Sequence, residues 1–147
     1  MRVGQISFDF LAIVLFTFLL FAALFEAYAL ENTSARINEA KISAQRVGSI
    51  LARAINKVSR ENGTGTQVTI PESLDTSDTY YLAVSPSGRR VDVFWPISSQ
   101  NRSIGVAILT NNVTSYNVSK SVGSNQTTIN VSNINGLINV INASGGS

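Results

Sequence analysis

The side chains with the most evident chemical potential are four carboxylates. Glu72, Asp75 and Asp78 cluster in a loop between Pro71 and Thr79, and Asp92 follows on the next hairpin. Paired carboxylates can divide acid and base roles in glycoside hydrolysis, or hold Ca²⁺ through hard oxygen ligands. Their spacing fits no calcium loop, and no glycine stands where such a loop turns. A solvated loop whose Asp and Ser side chains bond nearby backbone accounts for the same residues. Serine and threonine supply 30 of the 147 residues, but the chain has no His and no Cys. That excludes a Ser-His-Asp triad, an imidazole base or ligand, thiolate metal sites, a Cys nucleophile and a disulfide framework. We expect no catalytic residue, no metal and no cofactor, hence a structural or binding protein rather than an enzyme.

A second chemistry is done to the chain rather than by it. Eight Asn-x-Ser/Thr acceptors occur, none with Pro between: Asn32, Asn62, Asn101, Asn112, Asn117, Asn125, Asn130 and Asn142. With 14 Asn and 30 Ser plus Thr, chance places about three. The excess points to N-glycosylation of an extracellular surface. Charged residues are 14% of the chain, against about 25% in an average soluble domain, and the net charge is +2. Such a small excess implies no nucleic-acid partner.

The elements that must carry these sites differ sharply along the chain. Residues 10–25 (FLAIVLFTFLLFAALF) form a run without a charge, between Asp9 and Glu26. As a helix they rise about 24 Å, and extension to Leu30 reaches the ~30 Å of a hydrocarbon core. The run is apolar on every face, so lipid or sister subunits must cover it. Residues 31–60 continue the helix signal with no Pro and one Gly, Gly48. Ile37, Ala40, Ala44, Val47, Leu51, Ala54 and Val58, with Ile50 and Ile55 alongside, make an apolar stripe. Arg36, Glu39, Lys41, Arg46, Arg53, Lys57 and Arg60 line the other face, solvated or between subunits. Asn62-Gly63 supplies the stop. One helix of roughly 80 Å is expected over about 6–60.

From Gly63 the period becomes two. The pattern predicts strands over 67–70, 80–84, 90–94, 103–110, 113–118, 128–131 and 137–141. Ser85-Pro86-Ser87-Gly88 and Asn135-Gly136 read as hairpin turns, and two of the strands flank Asn111-Asn112. Ile129, Val131 and Ile134 do not keep one alternation. Tyr80, Tyr81, Phe94 and Trp95 are expected in the β core rather than as a ligand platform.

The first ten residues, MRVGQISFDF, carry the most specific signal. Gly4, Gln5, Ser7 and Phe10 match a short basic leader ending in Gly, followed by Gln-x-Ser-x-Glu-Phe and an apolar helix. In this the chain resembles archaeal type IV pilin-like proteins with a class III signal peptide; Asp9 stands where the family has Glu. The resemblance implies cleavage between Gly4 and Gln5 by a prepilin peptidase, leaving the apolar segment attached. It implies an α+β fold, with 1–4 as leader, 5–61 as the long helix (hydrophobic 10–30, amphipathic 31–60) and 62–147 as an extracellular β domain. It gives Asp9 and Phe10 assembly roles. A carboxylate at the edge of hydrocarbon is costly unless paired, and the new α-amino group at a neighbour's Gln5 would pair it. The implied partners are the membrane before assembly, a pilus assembly platform and then copies of the chain itself in a helical polymer. The implied location is the cell surface, with adhesion as the role.

Two other readings share parts of this pattern. Ala27-Tyr28-Ala29 is an A-x-A tripeptide after an apolar run, as at a secretory cleavage site. The run is longer than usual for such a signal, Asp9 lies where basic residues belong, and the helix pattern continues through the site. The alternatives are thus a minor pilin or adhesin, and an anchored or secreted glycoprotein ectodomain that never assembles.

Overall fold

The computed structural model describes residues 8–75, 77–97, 100–123 and 127–143. A single long helix, α1 (Phe8–Val58), precedes seven strands. These are β1 (Gly65–Ile70), β2 (Thr79–Ser85), β3 (Arg90–Ile97), β4 (Gln100–Ala107), β5 (Tyr116–Ser121), β6 (Thr127–Ile134) and β7 (Leu137–Asn142). The fold is α+β, a long apolar N-terminal helix followed by a small antiparallel β domain of two sheets. The chain divides into two compact units between Arg36 and Ile37, and α1 contributes to both.

The first unit contains only helix among its described residues. Its Leu, Ala and Phe residues favour or tolerate helix, and no Pro or Gly interrupts residues 8–36. Asp9 lies in the first turn, where a negative charge complements the helix dipole. The two threonines satisfy their hydroxyls on the helix itself. Thr17 Oγ1 donates to the Ile13 carbonyl at 2.8 Å and Thr33 Oγ1 to the Ala29 carbonyl at 2.9 Å.

In the second unit, the rest of α1 and both sheets share one hydrophobic core. The stripe read from the sequence is buried at Ala40, Ala44, Val47, Leu51, Ala54, Ile55 and Val58. Ser43, Gly48 and Ala52 join it, whereas Ile50 stays 37% exposed. Close approach selects the small residues. A Cβ built on Gly48 would stand 3.0 Å from Val106 Cγ2 and 3.2 Å from Val93 Cγ2. The helix thus rests on the four-stranded sheet where a methyl group would crowd two valines.

That sheet has the order β4-β3-β2-β5, and the second sheet β1-β6-β7, with antiparallel pairing throughout. β6 and β7 are joined by Asn135 (φ 53°) and Gly136 (φ 84°), a two-residue turn that places Ile134 opposite Leu137. In the β2–β3 hairpin the left-handed residue is Arg89 (φ 48°) rather than Gly88, and Arg89 N donates to the Pro86 carbonyl at 3.2 Å.

The strand bounds around Asn111-Asn112 need correction, and the broken alternation before Asn135 finds its explanation. The strands around Asn111-Asn112 do not pair with each other. β4 pairs with β3 and β5 with β2, on opposite edges of one sheet, and both strands begin three residues from the expected positions. The connection between them lies along β7 instead. Thr114 N donates to the Ile138 carbonyl at 2.8 Å and Ile138 N to the Asn112 carbonyl at 2.9 Å. The broken alternation in β6 has a different cause. Ile129 and Val131 point into the core, and the next inward position is Asn133, 4% exposed, while Ile134 is exposed. Asn133 Nδ2 donates to the Val58 and Glu61 carbonyls at 3.1 and 3.2 Å, and its Oδ1 accepts from Gly136 N at 3.0 Å. A buried amide therefore joins Thr64 Oγ1, which donates to the Glu61 carbonyl at 2.7 Å, in capping the carbonyl end of α1.

Candidate functional site

Two surfaces carry the residues singled out by the sequence, and each belongs to a different unit. The first is the apolar half of α1. Phe10 is 61% exposed, Phe18 71%, Phe21 72% and Phe25 70%, and among the described residues none of the most apolar 18-residue window is buried. The mean hydropathy of that window is 2.5, and the helix is long and apolar enough to cross a membrane. Asp9 is exposed at its start. Gly4 and Gln5, the expected cleavage pair, lie outside the described residues.

The second surface is the outer face of the four-stranded sheet. Alternation along β2 sends Tyr80, Leu82 and Val84 inward and Tyr81 outward. Alternation along β3 sends Val91, Val93 and Trp95 inward and Phe94 outward. The expected core placement thus holds for Tyr80 and Trp95 and fails for Tyr81 and Phe94. Successive residues of a strand cannot share a face. Tyr81 and Phe94 are direct cross-strand partners, with ring centroids 5.9 Å apart and planes tilted by 45°. Beside them Asp92 is almost fully covered and its carboxylate accepts from Arg90 Nε at 2.9 Å. Gly105 lies opposite Asp92, and a Cβ there would crowd the Asp92 Oδ1 at 3.1 Å. One end of this face opens into a groove of about 590 Å³ lined by Thr79, Tyr81, Phe94, Pro96, Asn101 and Ser121, among others.

The acidic loop does not assemble a site. Asp92 is engaged with Arg90, and Glu72, Asp75 and Asp78 are exposed. Among the described residues, no three His, Cys, Asp or Glu side chains come together at a spacing that could hold a metal. The loop is fixed by backbone instead. Asp75 N donates to Ser43 Oγ at 3.3 Å, Val122 N to the Asp78 carbonyl at 2.8 Å, and Leu74 is buried.

Burial shifts two tyrosines. The Tyr80 hydroxyl is pushed well above its ordinary range, first by burial and then by the neighbouring Tyr116, and it donates to the Pro71 carbonyl at 2.5 Å. Burial likewise raises Tyr116, whose hydroxyl donates to Asn142 Oδ1. Lys120 is also buried, and its Nζ donates to Thr127 Oγ1 at 2.8 Å. Burial thus disfavours ionisation of both tyrosine hydroxyls.

The acceptor asparagines are distributed over both units. Asn32, Asn62, Asn101, Asn112, Asn117 and Asn142 are exposed, Asn130 is half-buried on the central strand β6, and Asn125 lies outside the described residues. Asn112 Nδ2 already donates to the Gly136 carbonyl at 2.6 Å, so it has less freedom than Asn101 or Asn117. The residues that sequence reasoning misplaced, Tyr81 and Phe94, were legible by strict alternation from Leu82 and Val93. Asn133 gave only a negative signal, the missing apolar residue at an inward position.

Comparison with protein-family models, with curated proteins and with solved structures gave no match.

Proposed function

We propose that the chain is a filament-forming structural protein anchored by its helix. More specifically, it is the structural subunit of an extracellular filament of the archaeal type IV pilus kind, and not an enzyme. The observation that carries this reading is the uncovered apolar half of α1, where large Leu and Phe side chains face outward all round. A segment of that composition needs lipid or like helices around it. Leaving lipid for neighbouring helices changes its apolar environment little, so one segment can serve first as anchor and then as filament core. The contact between copies would be heterologous and non-closing, as a helical polymer requires.

The residues before the helix supply the processing step. Cleavage between Gly4 and Gln5 by a prepilin peptidase frees an α-amino group, and Asp9 of one copy pairs with that amine on the next. Phe10 begins the packing surface. The β domain, with its acceptor asparagines, then faces outward on the cell surface and mediates adhesion.

Intact-mass analysis of the mature protein from isolated surface filaments tests the reading. A chain starting at Gln5 is expected. One starting at Met1 or Leu30, or a protein absent from filaments and confined to membranes, overturns it in favour of an anchored or secreted ectodomain. Gly4→Val abolishes processing. Asp9→Ala is cleaved but assembles poorly.

A further inference from the structure

The register of the four-stranded sheet brings two glycan acceptors to one aromatic pair. Ser103 is opposite Phe94, Phe94 is opposite Tyr81, and Tyr81 is opposite Ser119, so these residues form one transverse row on the outer face. The central two are aromatic, 37% and 39% exposed. The flanking two are the hydroxyl residues of Asn101-Arg102-Ser103 on β4 and Asn117-Val118-Ser119 on β5, the two edge strands. Asn101 is opposite Pro96 and Asn117 opposite Ala83. Each acceptor is therefore diagonal to an aromatic, Asn101 to Phe94 and Asn117 to Tyr81. Same-face diagonal positions are about 7–8 Å apart, within reach of a large substituent.

We infer that the glycan attached to Asn101 folds back onto its own sheet and seats its first sugars on Phe94 and Tyr81. This rests on the extracellular, glycosylated β domain of the proposed function. One observation favours Asn101 over Asn117 as the source. Asn101 itself lines the 590 Å³ groove, and so do both aromatics. That volume is in the range that encloses small organic groups. The remaining outer-face lining is short and polar or flat (Thr79, Ser119, Ser121 and Pro96), leaving room beside the rings and hydroxyls for sugar hydroxyls to meet. The C–H face of a pyranose carries slight positive charge and meets the negative face of an aromatic ring favourably. Such a seat accounts for two outward aromatics on a domain otherwise poor in exposed rings.

The test uses full-length protein purified from its own cells in detergent. Peptide mass spectrometry reads occupancy at Asn101, and thermal unfolding of the β domain is followed in wild type, Asn101→Gln, Phe94→Ala and the double variant. We expect Asn101 to be occupied. Asn101→Gln lowers Tm by several degrees in the wild-type background and by less than half as much with Phe94→Ala present. Asn117→Gln lacks this coupling. Phe94→Leu, which keeps apolar bulk without a ring, serves if Phe94→Ala does not fold. Nuclear Overhauser contacts between sugar C–H protons and the Phe94 ring are expected as well. An unoccupied Asn101 overturns the inference, as do additive Tm changes in an occupied protein. So does self-association through the bare face that Phe94→Ala abolishes while occupancy is unchanged. In each case a mature chain starting at Gln5 leaves the filament reading intact.

Discussion

The two halves of α1 share one backbone and have opposite relations to solvent. In residues 8–30 the large apolar side chains are outside, with Phe8 84% exposed and Leu20, the least exposed of its large hydrophobics, at 50%. In residues 40–58 the buried face is built largely from Ala, Gly, Ser and Val, with Leu51 and Ile55 as its largest members. Hydrophobicity alone would place the first half inside and the second nearer the surface. What decides burial here is a complementary partner within the chain. The second half has small residues where the sheet comes close, as at Gly48 against Val93 and Val106. The first half has bulk on every side and no face reserved for a partner of a different kind. Its partner must surround it, which suits lipid or identical helices.

Paired substitutions sharpen this contrast. Leu51→Ala should cost about 2–5 kcal/mol in unfolding of the β domain, because it opens a cavity in a fully buried site. Leu19→Ala, the same chemical change in the first half, should move that transition by no more than about 0.5 kcal/mol while weakening assembly. Equal effects of the two in denaturant titrations would erase the distinction. Gly48→Val should cost about 1–3 kcal/mol by overpacking against Val93 and Val106. Enlarging a side chain of the first half has no such counterpart, since residues 8–30 are exposed throughout. Asn133→Ala should cost about 1–3 kcal/mol, because it strips the Val58 and Glu61 carbonyls of a buried donor. Hydrogen exchange should then quicken first in the last turn of α1.

The smallest effect is on pH dependence. Tyr80 and Tyr116 have folded-state hydroxyls harder to ionise than in the unfolded chain, whose tyrosines titrate near 10. The unfolded state therefore releases these protons first as pH rises. Their contribution is complete below about pH 10 and declines above it, while the neutral range is unaffected. Tyr80→Phe should flatten the alkaline limb of a stability–pH curve, measured by chemical denaturation between neutrality and high pH.

Much of this architecture was written in local periodicity. The apolar run, the amphipathic stripe and the seven strands follow from spacing, because each buries a face with the period of its own backbone. The pairing partners of β4 and β5 were not legible. Asn111-Asn112 has turn chemistry, but long-range register sends the two strands to opposite edges of the sheet, and no local signal encodes that. Of the candidate sites, the exposed helix was readable from composition, since no small domain could cover it. The aromatic pair was hidden by treating four neighbouring aromatics as one core group. Asn133 was hidden because a polar residue at an inward position acquires meaning only when the helix end it serves is known.

The cap at Asn133 also has a mechanical consequence. If copies of α1 are gripped by their neighbours, tension on an outer domain arrives at the last turn of that helix. There the carbonyls of Val58 and Glu61 are tied to Asn133 on β6, and Asn133 N is tied to the Thr64 carbonyl. β6 is the middle strand of its sheet, laddered to β1 on one side and β7 on the other. Freeing it means breaking two ladders rather than one, so the end of α1 is anchored to the strand with the most neighbours in its sheet.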